Sequence, residues 1–432
     1  MVVLSALAAQ LSFSSHLRLQ ATATVGQGAQ ALYMARAGVE KAISDLVTKR
    51  DGAQPAANYL ESESVPYANV PLGEGTWTLL AGYGETSRPL FGIMDESAKI
   101  NLLTADASLL GQVPGLTPQL AAEIVQWRPA GQLRSLNDLL LVEGIDVQLL
   151  YGEDVNGNGL LDPNEDDGEE SWPPDNADGR LDQGLAAYLT LWSAARNVTS
   201  EGKKRANLAS ASADDLMKAI PGLKSEEADS IVAQRGKKAF ASIADLLDVP
   251  LAAKGSQAPQ SPPKSGETGA DQPQSAAPPA NSAAAKPAEQ PSSSQNQQEP
   301  AQMIIDQNRL REIADYVSLT DDQTLKGLVN INAASAQVLA CLPGMSEETA
   351  AAAVRWRDRQ KDGFKSVADL LDVEGMTVDR FKMVCPYVSA RSDVFSVHSF
   401  GVVQNGEVCR CVEAVMDRTG NAVRIVQRRE LD

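Results

Sequence analysis

The sequence predicts an α+β protein in which a long N-terminal helix and a small antiparallel sheet carry a large inserted α-helical domain. Three observations lead to this prediction. One helix-hairpin-helix pattern occurs three times in the middle of the chain, strand-like segments lie on both sides of it, and helical periodicity marks the N-terminus. The predicted parts are the N-terminal helix at 1–50, the sheet at 51–96 with 392–432, and the inserted domain at 97–391.

The three repeats share an Asn, a Pro-Gly turn, a helix ending near an Arg and an Asp-Leu-Leu segment. They cover 101–144, 207–249 and 330–375. In the third repeat, Ser335 and Ser346 are predicted to cap two short helices, and Pro343-Gly344 between them ends the first one. Each repeat is therefore predicted to be a helix-hairpin-helix unit.

Many helix-hairpin-helix modules bind DNA, with backbone N–H groups and nearby cations contacting a phosphate. In this chain the second glycine that such hairpins usually carry is absent, and within the three turns only Lys224 offers a cation. The 38 basic and 56 acidic residues give a formal charge of −18, whereas nucleic-acid binding favours a basic face. We therefore expect no nucleic-acid partner. The alternative is a DNA-uptake receptor that would use Lys224 and Arg235.

Two further segments limit the organisation of the chain. Residues 252–302 consist mainly of Pro, Ser, Gln and Ala, a composition typical of a disordered, flexible linker. Residues 1–13 are apolar but shorter than the ~20 residues that a membrane-spanning helix needs. They are either the frayed start of a soluble helix or the second half of a membrane helix. A helix is predicted to continue to about residue 47, because apolar side chains recur on one face: Leu32, Ala35, Val39, Ile43 and Leu46.

The predicted strands lie at both ends of the chain. Residues 76–83 and 89–94 precede the first repeat, and three segments near 394–403, 408–417 and 422–429 follow the third. Asn405-Gly406 and 419–421 are hairpin signals between the last three. The simplest arrangement is one antiparallel sheet built from both ends of the chain.

An acidic segment at 152–182 carries the clearest chemistry. Its first part fits a twelve-residue calcium loop, with a glycine at position 6 and oxygen ligands expected from Asp154, Asn156, Asn158, Leu160 (backbone carbonyl), Asp162 and Glu165. A poorer second candidate uses Asp175, Asp178 and Asp182. Between residues 153 and 182 there are eleven acidic residues and one basic residue. The sequence therefore predicts calcium as a structural clamp; the alternative is a solvated acidic insertion.

Catalysis has no support in the sequence, and we expect no enzymatic activity. The two histidines, His16 and His398, lie at opposite ends of the chain and outside any recognisable triad or zinc motif. Four cysteines occur, at 341, 385, 409 and 411. Cys341 and Cys385 are either a disulfide pair or two buried thiols.

Several segments together resemble one protein family. They are 31–40 (Ala-Leu-Tyr-Met-Ala-Arg-Ala-Gly-Val-Glu), 95–101 (Asp-Glu-Ser-Ala-Lys-Ile-Asn), 152–159 (Gly-Glu-Asp-Val-Asn-Gly-Asn-Gly) and the three repeats. The chain resembles the minor pseudopilin K family of type II secretion systems. The resemblance implies a pilin-like helix and sheet with an inserted helical domain that binds calcium.

The same resemblance implies a role in protein export. It implies a subunit that caps a periplasmic pseudopilus together with other minor pseudopilins, held in the inner membrane by a single span, with most of the chain in the periplasm. On this basis we expect the helix to contact neighbouring subunits through Leu32, Val39, Ile43 and Leu46. The prepilin-peptidase site and the first half of the family's membrane helix are not seen in this sequence.

Overall fold

A computed structural model describes residues 2–48, 59–60, 66–83, 89–128, 133–154, 161–172, 174–250, 305–403 and 408–431. The helices are α1 (Val2–Thr48), α2 (Ala107–Leu110), α3 (Pro118–Trp127), α4 (Val147–Tyr151), α5 (Ala213–Ala219), α6 (Ser225–Lys237), α7 (Gln307–Ile313), α8 (Ala336–Ala340), α9 (Glu347–Arg359) and α10 (Val378–Val384). The predicted linker at 252–302 lies outside the described residues.

The strands are β1 (Tyr59–Leu60), β2 (Val70–Leu72), β3 (Gly75–Tyr83), β4 (Pro89–Asp95), β5 (Ile100–Asn101), β6 (Leu189–Thr190), β7 (Ala194–Arg196), β8 (Ala206–Asn207), β9 (Val317–Ser318), β10 (Thr324–Lys326), β11 (Val329–Asn330), β12 (Val388–Ser389), β13 (Val394–Val403), β14 (Val408–Asp417) and β15 (Arg424–Leu431). The main sheet is antiparallel, in the order β1-β4-β3-β13-β14-β15, with β2 also paired to β3. The predicted sheet built from both ends of the chain is therefore confirmed. The Asn405-Gly406 turn lies outside the described residues.

Helix α1 crosses one face of this sheet very closely. A Cβ atom at Gly401 of β13 would collide with the carbonyl oxygen of Ala31, and one at Gly38 of α1 would collide with Ser399. Ser399 Oγ also donates a hydrogen bond of 2.7 Å to the carbonyl of Ala35. The two glycines therefore permit the approach of helix and strand, and the serine fixes it.

The inserted domain contains the three predicted repeats, and each is larger than its sequence pattern indicated. Every repeat runs strand, two helices, a 3-10 turn, a third helix, a second 3-10 turn and a final strand that pairs in parallel with the first. The parallel pairs are β5 with β6, β8 with β9, and β11 with β12. The third repeat shows the order without interruption, as β11, α8, α9, Val367–Asp372, α10, Cys385–Tyr387 and β12.

The other two repeats carry insertions late in this order. In the first repeat the acidic segment 152–182 lies between α4 and the final turn Leu185–Ala187. In the second, 251–304 separates the turn Ile243–Asp248 from α7. Helix α7, which the sequence pattern did not assign to any repeat, therefore completes the second unit as α4 and α10 complete the others.

Two hydrophobic cores follow from this organisation. One joins all three repeats and includes Leu110, Ile231 and Phe381. The other lies between α1 and the sheet and includes Leu79 and Phe395. The protein is thus an α+β chain with an N-terminal helix, an antiparallel sheet and a helical insertion, as predicted.

Candidate functional site

The predicted partner-binding face of α1 is covered by the chain's own sheet. Val39 and Leu46 are buried, at 3% and 0% exposure, and Leu32 and Ile43 pack partly buried against the same core. These four residues thus pack against the chain's own core, and their contact with neighbouring subunits stays a prediction. An apolar stripe on a helix shows that something covers it, and here the sheet of the same chain does so.

The exposed apolar surface of α1 lies nearer its start. Between residues 10 and 26 every side chain except that of Ser14, which is partly buried, is exposed. The large apolar side chains of this segment are 47–74% exposed: Leu11, Phe13, Leu17, Leu19 and Val25. At 1.5 Å per residue, the 47 residues of α1 span about 70 Å. Among the described residues, no helix is both long enough and apolar enough to cross a membrane.

The exposed half of α1 and the repeat domain lie at opposite ends of the sheet. Ala31 of α1 lies beside Gly401, near the end of β13. The repeats join the sheet at Asp95, which ends β4, and at Asp393, which precedes the start of β13. Because β13 has 10 residues, about 30 Å of strand separates these two ends.

The first predicted calcium loop is described only at its two ends. Glu165 is buried, at 1% exposure, and its Oε2 accepts a 3.0 Å hydrogen bond from the backbone N–H of Asp162. Asp154 lies at the other end of the loop. Three predicted ligands, Asn156, Asn158 and Leu160, lie outside the described residues.

In the second predicted loop, carboxylates hold the backbone. Asp175 accepts hydrogen bonds from the N–H groups of Gly168 and Ala177, at 2.8 and 2.7 Å. Desolvation raises the pKa of Asp175, but these backbone amides outweigh it and the pKa is lowered. Asp178 accepts from the N–H of Arg180 at 2.9 Å. These contacts hold the backbone of the loop.

Glu153, which the sequence did not single out as a ligand, connects the two loops. Its carboxylate is buried and accepts hydrogen bonds from the N–H groups of Asp182, at 2.8 Å, and Asn176, at 3.4 Å. Burial raises the pKa of Glu153, and the charges of Asp182 and Asp175 raise it further. A cation nearby would relieve this repulsion.

The donor set suits a hard cation, since carboxylate and amide oxygens are the ligands that calcium prefers. Within the part of the acidic segment that the structure describes, no group of three His, Cys, Asp or Glu side chains converges on a common position. Calcium binding by Asp154, Asp162, Glu165, Asp175, Asp178 and Asp182 therefore stays a prediction.

In the second and third repeats, the arginine near the end of the second helix makes hydrogen bonds within its own repeat. Arg235 Nη1 donates to the carbonyls of Leu208 and Ala211, at 3.0 and 2.8 Å. In the third repeat Arg357 Nη1 makes the equivalent bonds, to Ile331 and Ala334. Arg235, one of the two cations of the DNA-binding alternative, therefore holds the turn between β8 and α5 of its own repeat.

The hairpin turns themselves are covered by the third helix of each repeat. Gly115 packs against Leu149 of α4, and Gly344 packs against Met383 of α10. In the second repeat Arg309 of α7 reaches the hairpin, where its Nη2 donates to the carbonyl of Gly222 at 2.7 Å. In all three repeats, the third helix thus contacts the turn at which a DNA phosphate would bind in the DNA-binding alternative.

The leading asparagines form one equivalent set. Asn101, Asn207 and Asn330 each accept a hydrogen bond from the N–H two residues further on, at 2.8, 2.9 and 3.0 Å. Their side-chain amides donate outward, Asn101 to Ser193, Asn207 to Asp321 and Asn330 to Asp95. The third contact joins the last repeat to the sheet.

The junction between repeats and sheet is a buried polar cluster. Asp95 is fully buried, and burial raises its pKa to about 7, against the opposing hydrogen bonds from Ser392 and Asn330. Nearby, Arg418 Nε binds Asp393 Oδ1 at 3.0 Å, and Arg196 binds the same oxygen at 3.3 Å. These contacts fix the orientation of the insertion on the sheet.

All four cysteines are free thiols. The possible Cys341–Cys385 disulfide is therefore not formed, and the alternative of two buried thiols is the observed one. Burial raises the pKa of each to about 11, so both are protonated and unreactive at neutral pH.

Comparisons with known proteins identify part of this architecture. A family model described as a helix-hairpin-helix motif matches residues 95–151, which contain the three helices of the first repeat, and residues 326–389, which contain the third repeat. A solved structure, the GspK-GspI-GspJ complex from the type 2 secretion system of enterotoxigenic Escherichia coli, contains a chain similar to this one. The alignment covers 95% of this chain and 99% of that chain, with 12% identity and a TM-score of 0.36. No curated protein matches the sequence.

Proposed function

We propose that the chain is a non-enzymatic, pilin-type assembly subunit, and specifically a minor pseudopilin at the tip of a type II secretion pseudopilus. The observation that carries the proposal is the division of α1. Its second half belongs to the core of the chain, while the described side chains between residues 10 and 26 include five large apolar ones that are exposed. Such a helix is suited to packing against the helices of other subunits.

The position of the insertion supports a place at the tip. The repeats join the sheet at the end opposite to the exposed half of α1. In an assembly held together by the N-terminal helices, the repeat domain would lie at the far end and obstruct the addition of a further subunit. The proposal includes an inner-membrane location for the N-terminal helix and a periplasmic one for the rest.

Calcium is the second part of the proposal. We infer that the acidic segment binds calcium through the ligands named above, and that the ion stabilises an insertion which otherwise concentrates negative charge. Glu165 is the described residue that favours this most, because its carboxylate is already buried and oriented by the N–H of Asp162.

Co-purification with the other minor pseudopilins of the same system tests the assembly role. Replacing Leu17 by Asp puts a charge on the exposed apolar surface of α1 and should abolish co-purification and export. Gln20→Asp is the matched control, because Gln20 is an exposed polar residue of the same helix segment. Normal co-purification by the Leu17 variant would reject this use of the helix.

A further inference from the structure

We propose that a cavity between the second and third repeats binds a carboxylate carried on a short apolar group. The cavity has a volume of about 210 Å³, roughly that of seven water molecules in the liquid. Strands β9 and β12, which close the two repeats, line it together with the short strands β7 and β10. It is thus separate from the acidic segment and from α1.

The charged residues that line the cavity are arginines. Arg196, Arg205 and Arg391 lie on its wall, and among the described residues that line it none is acidic. This is unusual in a chain with a formal charge of −18. Arg196 is paired with Asp393, which does not line the cavity, so the local positive charge to be balanced is that of Arg205 and Arg391.

Two of these arginines share one carboxylate. Asp315 Oδ1 lies 3.0 Å from Arg205 Nη2 and 3.1 Å from Arg391 Nη2, and Asp315 Oδ2 accepts the N–H of Ser200. Burial lowers the pKa of Arg205, and the neighbouring charge of Arg391 lowers it further, although Asp315 opposes this. One carboxylate for two guanidinium groups leaves an excess positive charge that an anion would balance.

The rest of the wall defines what else the ligand carries. The apolar residues Ile243, Val317 and Leu325 and the polar residues Ser318 and Ser389 are among those that line it. An inorganic anion would leave this apolar surface without a contact, whereas a carboxylate with a few methylene groups would cover it. A guanidinium group binds a planar carboxylate through two parallel hydrogen bonds. The chemistry therefore favours a short-chain carboxylic acid or the C-terminal residue of a polypeptide.

Isothermal titration of the full chain with hexanoate, and with hexanamide as the uncharged control, tests the proposal. Arg391→Gln removes the excess charge and leaves Asp315 paired with Arg205, so the variant should fold. It should weaken hexanoate binding at least tenfold. Arg311→Gln, which removes an arginine paired with Asp372 outside the cavity, is the matched control and should bind normally. Leu325→Trp should also block binding, because Leu325 is only partly buried and lies on the cavity wall.

Titration with a short acetylated peptide ending in Leu, as free acid and as amide, distinguishes the sources of the carboxylate. Tighter binding of the peptide acid than of hexanoate would identify a polypeptide C-terminus, and binding of hexanoate alone would identify a small acid. Equal binding of hexanoate and hexanamide would overturn the proposal. So would unchanged hexanoate binding in Arg391→Gln, or binding of neither carboxylate to the wild-type chain.

Discussion

The side-chain amide of Asn330 donates a 2.7 Å hydrogen bond to Oδ2 of Asp95, and both residues are buried. This bond joins the first strand of the third repeat to the last residue of β4. It is a direct contact between the two halves of the architecture, and it involves a carboxyl group whose pKa is raised to about 7 by burial. We therefore expect the attachment of the insertion to depend on pH.

Asp95→Asn is expected to change the pH dependence of stability. A folded-state pKa of about 7, above an unfolded value near 3.9, means that the folded state binds the proton more tightly. Asp95 should therefore favour folding below about pH 4, and this contribution should be lost as the pH rises to about 7. The slope is up to about 1.4 kcal/mol per pH unit.

Urea unfolding of wild type and Asp95→Asn between these pH values measures the effect. The difference in unfolding free energy, wild type minus variant, should fall as the pH rises. Ser97→Ala is a control at the same junction without a titrating group. A difference that is constant with pH would show that Asp95 does not titrate in this range.

Val39→Asp should destabilise the isolated protein by about 3 kcal/mol or more, because it places an unpaired charge in the core between α1 and the sheet. Leu17→Asp, on the exposed half of the same helix, should change the unfolding free energy by less than about 0.5 kcal/mol. Thermal unfolding of each monomer compares them. Equal stability of the two variants would contradict the division of α1.

This contrast also shows the limit of the sequence analysis. The periodicity of Leu32, Val39, Ile43 and Leu46 predicted the helix and its buried face, and α1 does extend to Thr48. Periodicity does not say which surface covers that face, because the chain's own sheet and a neighbouring subunit would both select apolar side chains. The helix and the strands were therefore predicted well, whereas the surface that covers the apolar face could not be read from the sequence.

The sequence pattern did not predict that α7 belongs to the second repeat, for a different reason. Its docking depends on Arg309, which binds Glu227 through two hydrogen bonds of 3.0 and 2.9 Å. These residues are 82 positions apart. The Pro- and Ser-rich segment lies between them and interrupts the repeat pattern. By contrast, local signals such as the Ser335 and Ser346 caps are present as predicted.

Arg309→Gln should reduce the unfolding free energy by about 1–3 kcal/mol at neutral pH, because the nearly buried Glu227 loses its partner. Arg309 lowers the pKa of Glu227, against the opposing effect of burial. The stabilisation is therefore present above the unfolded pKa and should be lost on acidification below about pH 4. Chemical unfolding at neutral and acidic pH measures both effects. A variant that differs from wild type equally at both pH values would contradict this role of the pair.

Calcium should raise the thermal unfolding midpoint, and excess chelator should reverse the rise. A ligand at 100 times its dissociation constant adds about 2.7 kcal/mol to the stability of the folded state. Glu165→Gln should remove the effect, because it keeps the size of the side chain but removes the carboxylate. Asp178→Asn, in the poorer second loop, separates the two candidates. If neither variant reduces the calcium effect, the ion binds elsewhere.

DNA binding is expected to be absent. Arg235 is engaged by two carbonyls, so Arg235→Gln should lower stability rather than affect any duplex binding. Fluorescence anisotropy with a labelled duplex, at several salt concentrations, measures binding directly. Salt-dependent binding that is lost on changing Lys224, with folding intact, would support the DNA-uptake alternative.

In each repeat the first and last strands pair in parallel, so the repeat forms a loop that is closed at its two ends. Strands β8 and β9 form such a pair although more than a hundred residues of chain lie between them. The entropy cost of closing such a ring rises only with the logarithm of its length, by about 0.6 kcal/mol for each doubling. Long segments can therefore be inserted before the last strand of a repeat while the fold of the repeat is kept. An inserted segment can add a new binding site without a change in the hydrophobic core.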